Sequence, residues 1–176
     1  MKKLLLPSLF LAVTLFCASS VLATPIVSIV GPTSVAPGSM FAVDVNIANV
    51  TDLNAFQFDV GFNQNNLMAM SVAEGIFLPS GESTVFIPGT IDNTNGVIAL
   101  TADALVGAVG VSGSGTLAIF DFTAIGAGTT DLTVSNVILV DSNGNLINTV
   151  SNTPEPSTVI LFALGALAVA LKLRNT

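Results

Sequence analysis

Between residues 24 and 153 the sequence has no lysine, no arginine and no histidine. All four basic residues, Lys2, Lys3, Lys172 and Arg174, sit at the two ends. The middle holds ten carboxylates, Asp44, Asp52, Asp59, Glu74, Glu82, Asp92, Asp103, Asp121, Asp131 and Asp141. No side-chain salt bridge can therefore form inside it, and stability must come from burial and backbone hydrogen bonds. A surface of one negative sign repels phosphate backbones, which excludes nucleic acid as a partner.

The missing residue types also remove most catalytic chemistry. Without His, Lys or Cys there is no ordinary general base or activated nucleophile, and the Ser-His-Asp and Cys-His arrangements are excluded. Paired carboxylates of the glycosidase kind remain. However, Asp59, Asp103 and Asp121 each fall at an outward strand position, the usual place for a solvated charge. The expectation is a protein that is not an enzyme. Trp and Tyr are also absent, so the flat rings on which sugars stack are missing. The Phe residues fall mostly on inward positions, with Phe77 and Phe86, near a loop, as exceptions. Sugar binding would have to use polar groups alone. "DSNGNL" from Asp141 has a faint look of a calcium loop, but Leu146 and Asn152 stand where that loop needs Gly and Glu. A turn is expected there, and no metal or cofactor.

The ends carry addresses. "MKKLLLPSLFLAVTLFCASSVLATP" has two lysines, an apolar stretch and small residues before Thr24, the layout of a secretory signal peptide cut by signal peptidase between Ala23 and Thr24. Cys17, the one cysteine, follows Phe16, whereas a lipoprotein signal needs a small residue there. The mature chain thus has neither a disulfide nor a thiolate metal site. Residues 1–23 form the signal, 24–153 a single domain of about 130 residues, and 154–176 a separate tail.

The domain reads as all-β. "MFAVDVNIANV" turns Phe41, Val43, Val45 and Ile47 inward, and "AFQFDVGF" does the same with Phe56, Phe58, Val60 and Phe62, leaving Ala55, Gln57, Asp59 and Gly61 outward. Such period-two alternation marks strands with one buried face. "TLAIFDFTA" points Phe120 and Phe122 inward and Ile119, Asp121 and Thr123 outward. Asn95-Gly96 and Asn143-Gly144 supply the positive backbone angles of two hairpin turns. "NVILV" is apolar in both registers, so that strand is either covered on both faces or bulged. "GVSGSG", 110 to 115, reads as a flexible loop. Eight or nine short strands among Gly, Pro, Asn and Ser mean an antiparallel sandwich or jelly roll.

The order of these features resembles a known family. "VSIVGPTSVAPGSMFAVDVNIANVTDLNAFQFDVGFNQNNLMAMSVAEG", with its opening strand, its "PG" turn and the run from Phe62 to Leu67, resembles the first half of a cohesin domain. "TADAL", "GSGTLAIFDF" and "DSNGNLI" resemble the second half. The likeness spans about residues 26 to 148. It implies a nine-stranded jelly roll, related to cellulose-binding modules, that binds dockerin modules and helps assemble polysaccharide-degrading complexes at cell surfaces. It maps Gln57, Asp59 and Asp103 onto a flat partner-binding sheet face, with Ile119, Asp121 and Thr123 beside them and Asp44 on the opposite sheet. Ala55 stands where cohesins often carry a polar contact.

The tail, "TPEPSTVILFALGALAVALKLRNT", resembles the PEP-CTERM sorting signal of exopolysaccharide-producing Gram-negative bacteria. There a motif like Pro154-Glu155-Pro156 precedes a short apolar helix and a basic end, and an exosortase processes the protein near the motif. The apolar run Val159 to Leu171 would rise about 20 Å as a helix, short of the roughly 30 Å hydrocarbon core. Ser157 to Leu173 would reach about 25 Å, so a span needs local thinning or snorkelling of Lys172. A transient anchor in the inner membrane, with the domain outside, is expected; a permanent anchor is the alternative. Two functions follow: a surface module that binds a dockerin-like partner, or a structural or sugar-binding component of an exopolysaccharide matrix.

Overall fold

A computed structural model describes residues 24–149 apart from Ala108. Ala23, Pro154, Glu155 and Pro156, with the whole of the signal segment and tail, lie outside the described residues. The strands are β1 (Ile26–Val30), β2 (Ser34–Val35), β3 (Met40–Gly61), β4 (Leu67–Glu74), β5 (Thr84–Ile87), β6 (Thr90–Asp92), β7 (Val97–Leu105), β8 (Val111–Ala124), β9 (Gly128–Thr129) and β10 (Thr133–Asp141). A single 3-10 turn, Leu78–Ser80, is the only helical piece among the described residues. Every pairing is antiparallel.

The two alternating runs expected as separate strands are one element. The first part of β3 pairs with β1 and β8, and its last part pairs with β10 from Leu53 and with β7 from Ala55. β3 therefore belongs to two layers, β1–β3–β8–β4 and β10–β3–β7–β5, with β6 also on β7. It changes layer where the pairing with β8 slips, between Ile47 and Leu53, and where Asn49 and Asp52 take φ values of 58° and 60°. Bulges of this kind add twist and bend, which lets one strand turn a corner between sheets.

The corner explains "GVSGSG". Most of that expected loop is the start of β8. Ser114 Oγ accepts the Asn49 N–H at 3.0 Å and Ser112 Oγ the Asp52 N–H at 2.9 Å, replacing the ladder bonds lost at the bend. Asp52 in turn accepts the Gly110 N–H at 3.0 Å and the Ser142 hydroxyl at 2.7 Å, tying the corner to both neighbouring strands. The glycines serve packing. A Cβ on Gly115 would come within 2.9 Å of the Phe77 ring. Phe77 fills that space and is 6% exposed, so its placement as an exposed ring is corrected. Phe86 is partly buried against the core.

Between the layers, Phe58 meets Phe120 at a ring separation of 6.2 Å, and Phe62 meets Phe122 edge-on at 5.3 Å. Val43, Val45, Ile47, Phe56 and Val60 complete this core, as the alternation required, and Leu117 joins it as the extra residue of β8 between the pairs Val45–Ala118 and Asn46–Thr116. Edge strand β4 is tied to the other layer at two places. Asn93 bonds both backbone groups of Ala69, and Thr84 donates its hydroxyl to the Glu74 carboxylate.

Three local readings are settled by the backbone. In "NVILV" two β10 residues, Asn136 and Val137, oppose the single Phe58 between the pairs Ser135–Asp59 and Ile138–Gln57, so the bulge alternative holds. In the two hairpins only the glycines are left-handed, Gly96 at φ 67° and Gly144 at 80°. Asn95 and Asn143 are not, because Asp92 and Asp141 accept the backbone N–H groups of those turns and shape them. Beyond the second turn, "NLINTV" contributes one bridge, Leu146 to Val140, rather than a strand.

Candidate functional site

The outer face of the β10–β3–β7–β5 layer is built from two transverse rows. Val85, Ala104, Ala55 and Val140 are mutually paired across four strands, and so are Ile87, Ala102, Gln57 and Ile138. Side chains in register on one face of a sheet stand side by side. Three alanines and Gln57 on the two central strands and larger apolar residues on the two flanking strands make a trough. These eight residues line a shallow depression of about 310 Å³. Seven are apolar and Gln57 is the one polar side chain. Val85 and Ile87 are 59% and 52% exposed, so this apolar surface faces solvent.

The six residues expected to form one binding surface do not share a face. Gln57 lies on the trough floor. Asp59 is two residues further along β3, but both carboxylate oxygens are engaged. Oδ1 accepts the Leu100 N–H at 2.8 Å and Oδ2 the Asn136 side-chain amide at 2.6 Å. Leu100 (φ 60°) and Asn136 (φ 52°) are the left-handed residues of two bulges opposite β3. Asp59 therefore holds two irregular strands in place.

Asp103 points inward and is 2% exposed, which corrects its outward assignment. The cause is the bulge at Leu100. One extra residue on β7 inverts the alternation, so Thr101, Asp103 and Leu105 join Ile98 on the buried side. Asp103 lies between Phe86 and Phe56 in register, and its Oδ1 accepts the Ala104 N–H at 2.8 Å. Its Oδ2 is buried without a donor. Burial, followed by the facing Glu74 carboxyl, raises its pKa to about 7.

Ile119, Asp121 and Thr123 are on the outer face of the other layer. They pair with Asp44, Ala42 and Met40 of β3, and Asp121 accepts the Ser71 hydroxyl at 2.7 Å. Asp44 is thus in the same layer as these three and not on a sheet opposite to all six. Thr24 is described and exposed, next to β1. The trough residues missed from the sequence are Val85, Ile87, Ala102, Ala104, Ile138 and Val140. The available signal was apolar residues at alternate outward positions, which the two bulges scrambled. At the turns, Asn95 holds the Asp92 pKa below the usual carboxylate value and Asn145 does the same for Asp141.

An antiparallel sandwich with a shallow, exposed, largely apolar sheet face is the form of a β-sandwich recognition module. Residues 26–156 match the Cohesin domain family, and residues 152–175 match the PEP-CTERM protein-sorting motif. The chain belongs to the cohesin domain family and ends in a PEP-CTERM sorting motif. Cohesin domains are interaction modules that bind dockerins. The fold is similar to a type II cohesin domain from the cellulosome of Acetivibrio cellulolyticus, at TM-score 0.61 and 17% identity over 73% of this chain and 93% of that one. It is similar to a non-cellulosomal cohesin from the archaeon Archaeoglobus fulgidus, at TM-score 0.58 and 21% identity over 72% and 85%. A third similar structure is the sixth cohesin of the Acetivibrio cellulolyticus scaffoldin B in complex with a Cel5 dockerin, at TM-score 0.58 and 17% identity over 73% and 94%. No curated protein matches the chain.

Proposed function

We propose that this chain is an exported docking module that binds a dockerin-type partner on the trough formed by β5, β7, β3 and β10. The observation that carries the reading is the pair of in-register rows, which expose an apolar strip across four strands. Strands about 4.8 Å apart make such a strip roughly 15 Å wide, enough for the apolar centre of a standard interface. Gln57 supplies a polar contact within it. The ten carboxylates and absent basic residues of the domain favour a partner whose rim carries Lys or Arg, and they make association fast and salt-sensitive.

Delivery rests on the ends of the chain. Signal peptidase releases the domain between Ala23 and Thr24, the apolar tail holds it transiently in the inner membrane, and an exosortase acts near Pro154-Glu155-Pro156. The match of residues 152–175 to the sorting motif supports this route. It ends at the cell surface or in the extracellular matrix of a Gram-negative bacterium.

The test uses a dockerin-bearing protein from the parent organism. Ala102→Arg, on the trough floor, is expected to weaken binding at least tenfold while the melting temperature stays within a few degrees. Asp121→Lys, on the other layer, is expected to weaken it much less. Equal effects would remove the trough as the docking face. Retention of both variants on insoluble polysaccharide, with no dockerin binding by either, would favour a matrix component instead.

A further inference from the structure

Asp103 and Glu74 are two hydrogen-bond acceptors facing each other at the open side of the sandwich. Asp103 Oδ2 is buried and has no donor, and the side chain within hydrogen-bonding range of its carboxyl is that of Glu74. The surroundings offer no counter-ion. β4 contributes only Glu74, β5 contributes Thr84 and Phe86, and β3 contributes Phe56. Glu82, another acid, lies against Gly107 beyond the end of β7. The domain has no basic residue at all. A buried carboxylate facing a second, partly buried one carries a cost when both are charged, and one shared proton turns their repulsion into a strong hydrogen bond.

We propose that the Asp103–Glu74 pair is a proton-operated latch: one shared proton ties edge strand β4 to β7 and, through Thr84, to edge strand β5, and its loss loosens that side of the sandwich. The geometry gives the latch reach. Glu74 ends β4 in one layer, while Thr84 begins β5 in the other. Asp103 sits between Ala102 and Ala104, whose side chains are the trough floor, and Val85 and Ile87 of β5 form one trough wall. Loosening β5 therefore disturbs the docking face. This last link rests on the docking reading above; the latch itself does not. The Asp103 pKa of about 7 places the change near neutrality.

Thermal melts of the exported protein between pH 5 and pH 8.5 test the latch. The wild type is expected to lose melting temperature as pH rises. Asp103→Asn, which keeps a donor toward Glu74 at every pH, should lose most of that dependence and melt higher than wild type at pH 8. Glu74→Gln should also flatten the profile, which covers the case in which one variant fails to fold. Amide exchange at Thr84–Ile87, corrected for its intrinsic pH dependence, should quicken at least tenfold in the wild type between pH 6 and pH 8, and not in Asp103→Asn. Parallel pH profiles for wild type and both variants would overturn the proposal. So would a calcium titration at pH 8 that raises the wild-type melting temperature and not that of Asp103→Asn, since the pair would then hold a cation. A latch that behaves as expected while dockerin affinity stays constant with pH would overturn the link to the docking face. Failure of the docking reading itself shows separately, in the Ala102→Arg variant.

Discussion

Asn93 treats Ala69 as another strand would: its Oδ1 accepts the Ala69 N–H at 2.8 Å and its Nδ2 donates to the Ala69 carbonyl at 3.0 Å. One side chain thus satisfies both backbone groups of a buried residue on edge strand β4 and joins it to the turn after β6. Asn93→Ala leaves both groups without partners and is expected to cost about 2–3 kcal/mol by denaturant unfolding. Asn95→Ala, two residues along the same turn, removes a solvent-facing contact to Asp92 and should cost less than about 1 kcal/mol. Similar losses from the two would mean that Asn93 does not join the layers.

Asp59 is expected to matter for folding first. Its two oxygens hold the β7 and β10 bulges, and hydrogen bonds to a charged group are worth about 1.5–3 kcal/mol. Asp59→Ala should therefore destabilise by an amount in that range before any partner is added. Gln57→Ala, on the open trough, should change stability by less than about 0.5 kcal/mol. A stable Asp59→Ala variant would show that the bulges hold themselves.

Phe58 is fully buried and packs on both Phe56 and Phe120. Phe58→Ala is expected to cost about 3–5 kcal/mol. Chemical denaturation gives the value, and a loss below about 1 kcal/mol would mean that the two layers do not meet through this ring.

The pH profile of stability should have an acidic optimum. Asp103 has a raised pKa, so the folded state binds its proton more tightly than the unfolded chain does. That contribution is complete below pH 3.8 and is lost as pH climbs to about 7. One such proton limits the slope to about 1.4 kcal/mol per pH unit. Asp92 and Asp141 have lowered values, so their contribution is present above pH 3.8 and is lost as pH falls below it. Stability should rise from pH 8 toward pH 4 and drop at lower pH. A maximum at pH 7 or above would contradict this assignment.

Exosortase processing near Pro154-Glu155-Pro156 would leave a chain without the residues after that motif. Intact mass of protein taken from the cell surface should show neither Lys172 nor Arg174. Trypsin gives a second readout, because Thr24 to Leu171 contains no cleavage site. The processed chain should survive trypsin even when denatured, and a mass that still includes Arg174 would establish a permanent tail.

The sequence by itself determined the all-β class, the inward Phe and Val faces, and the sorting motif at residues 152–175. Those features follow from composition and from the two-residue period of a strand, which are local. Tertiary structure decided which residues face outward past a bulge. At Leu100 one extra residue moved Asp103 from solvent to core and put Ala102 and Ala104 on the trough floor. At Asn136 another moved Ile138 and Val140 beside Ala55 and Gln57. Bulges depend on what the opposite strand offers, here the Asp59 carboxylate, about forty and eighty residues away in sequence. The pairing of Asp103 with Glu74 has the same origin. Acidic residues on six strands look alike in the sequence, and only closure of the two layers brings the buried Asp103 against the partly buried Glu74.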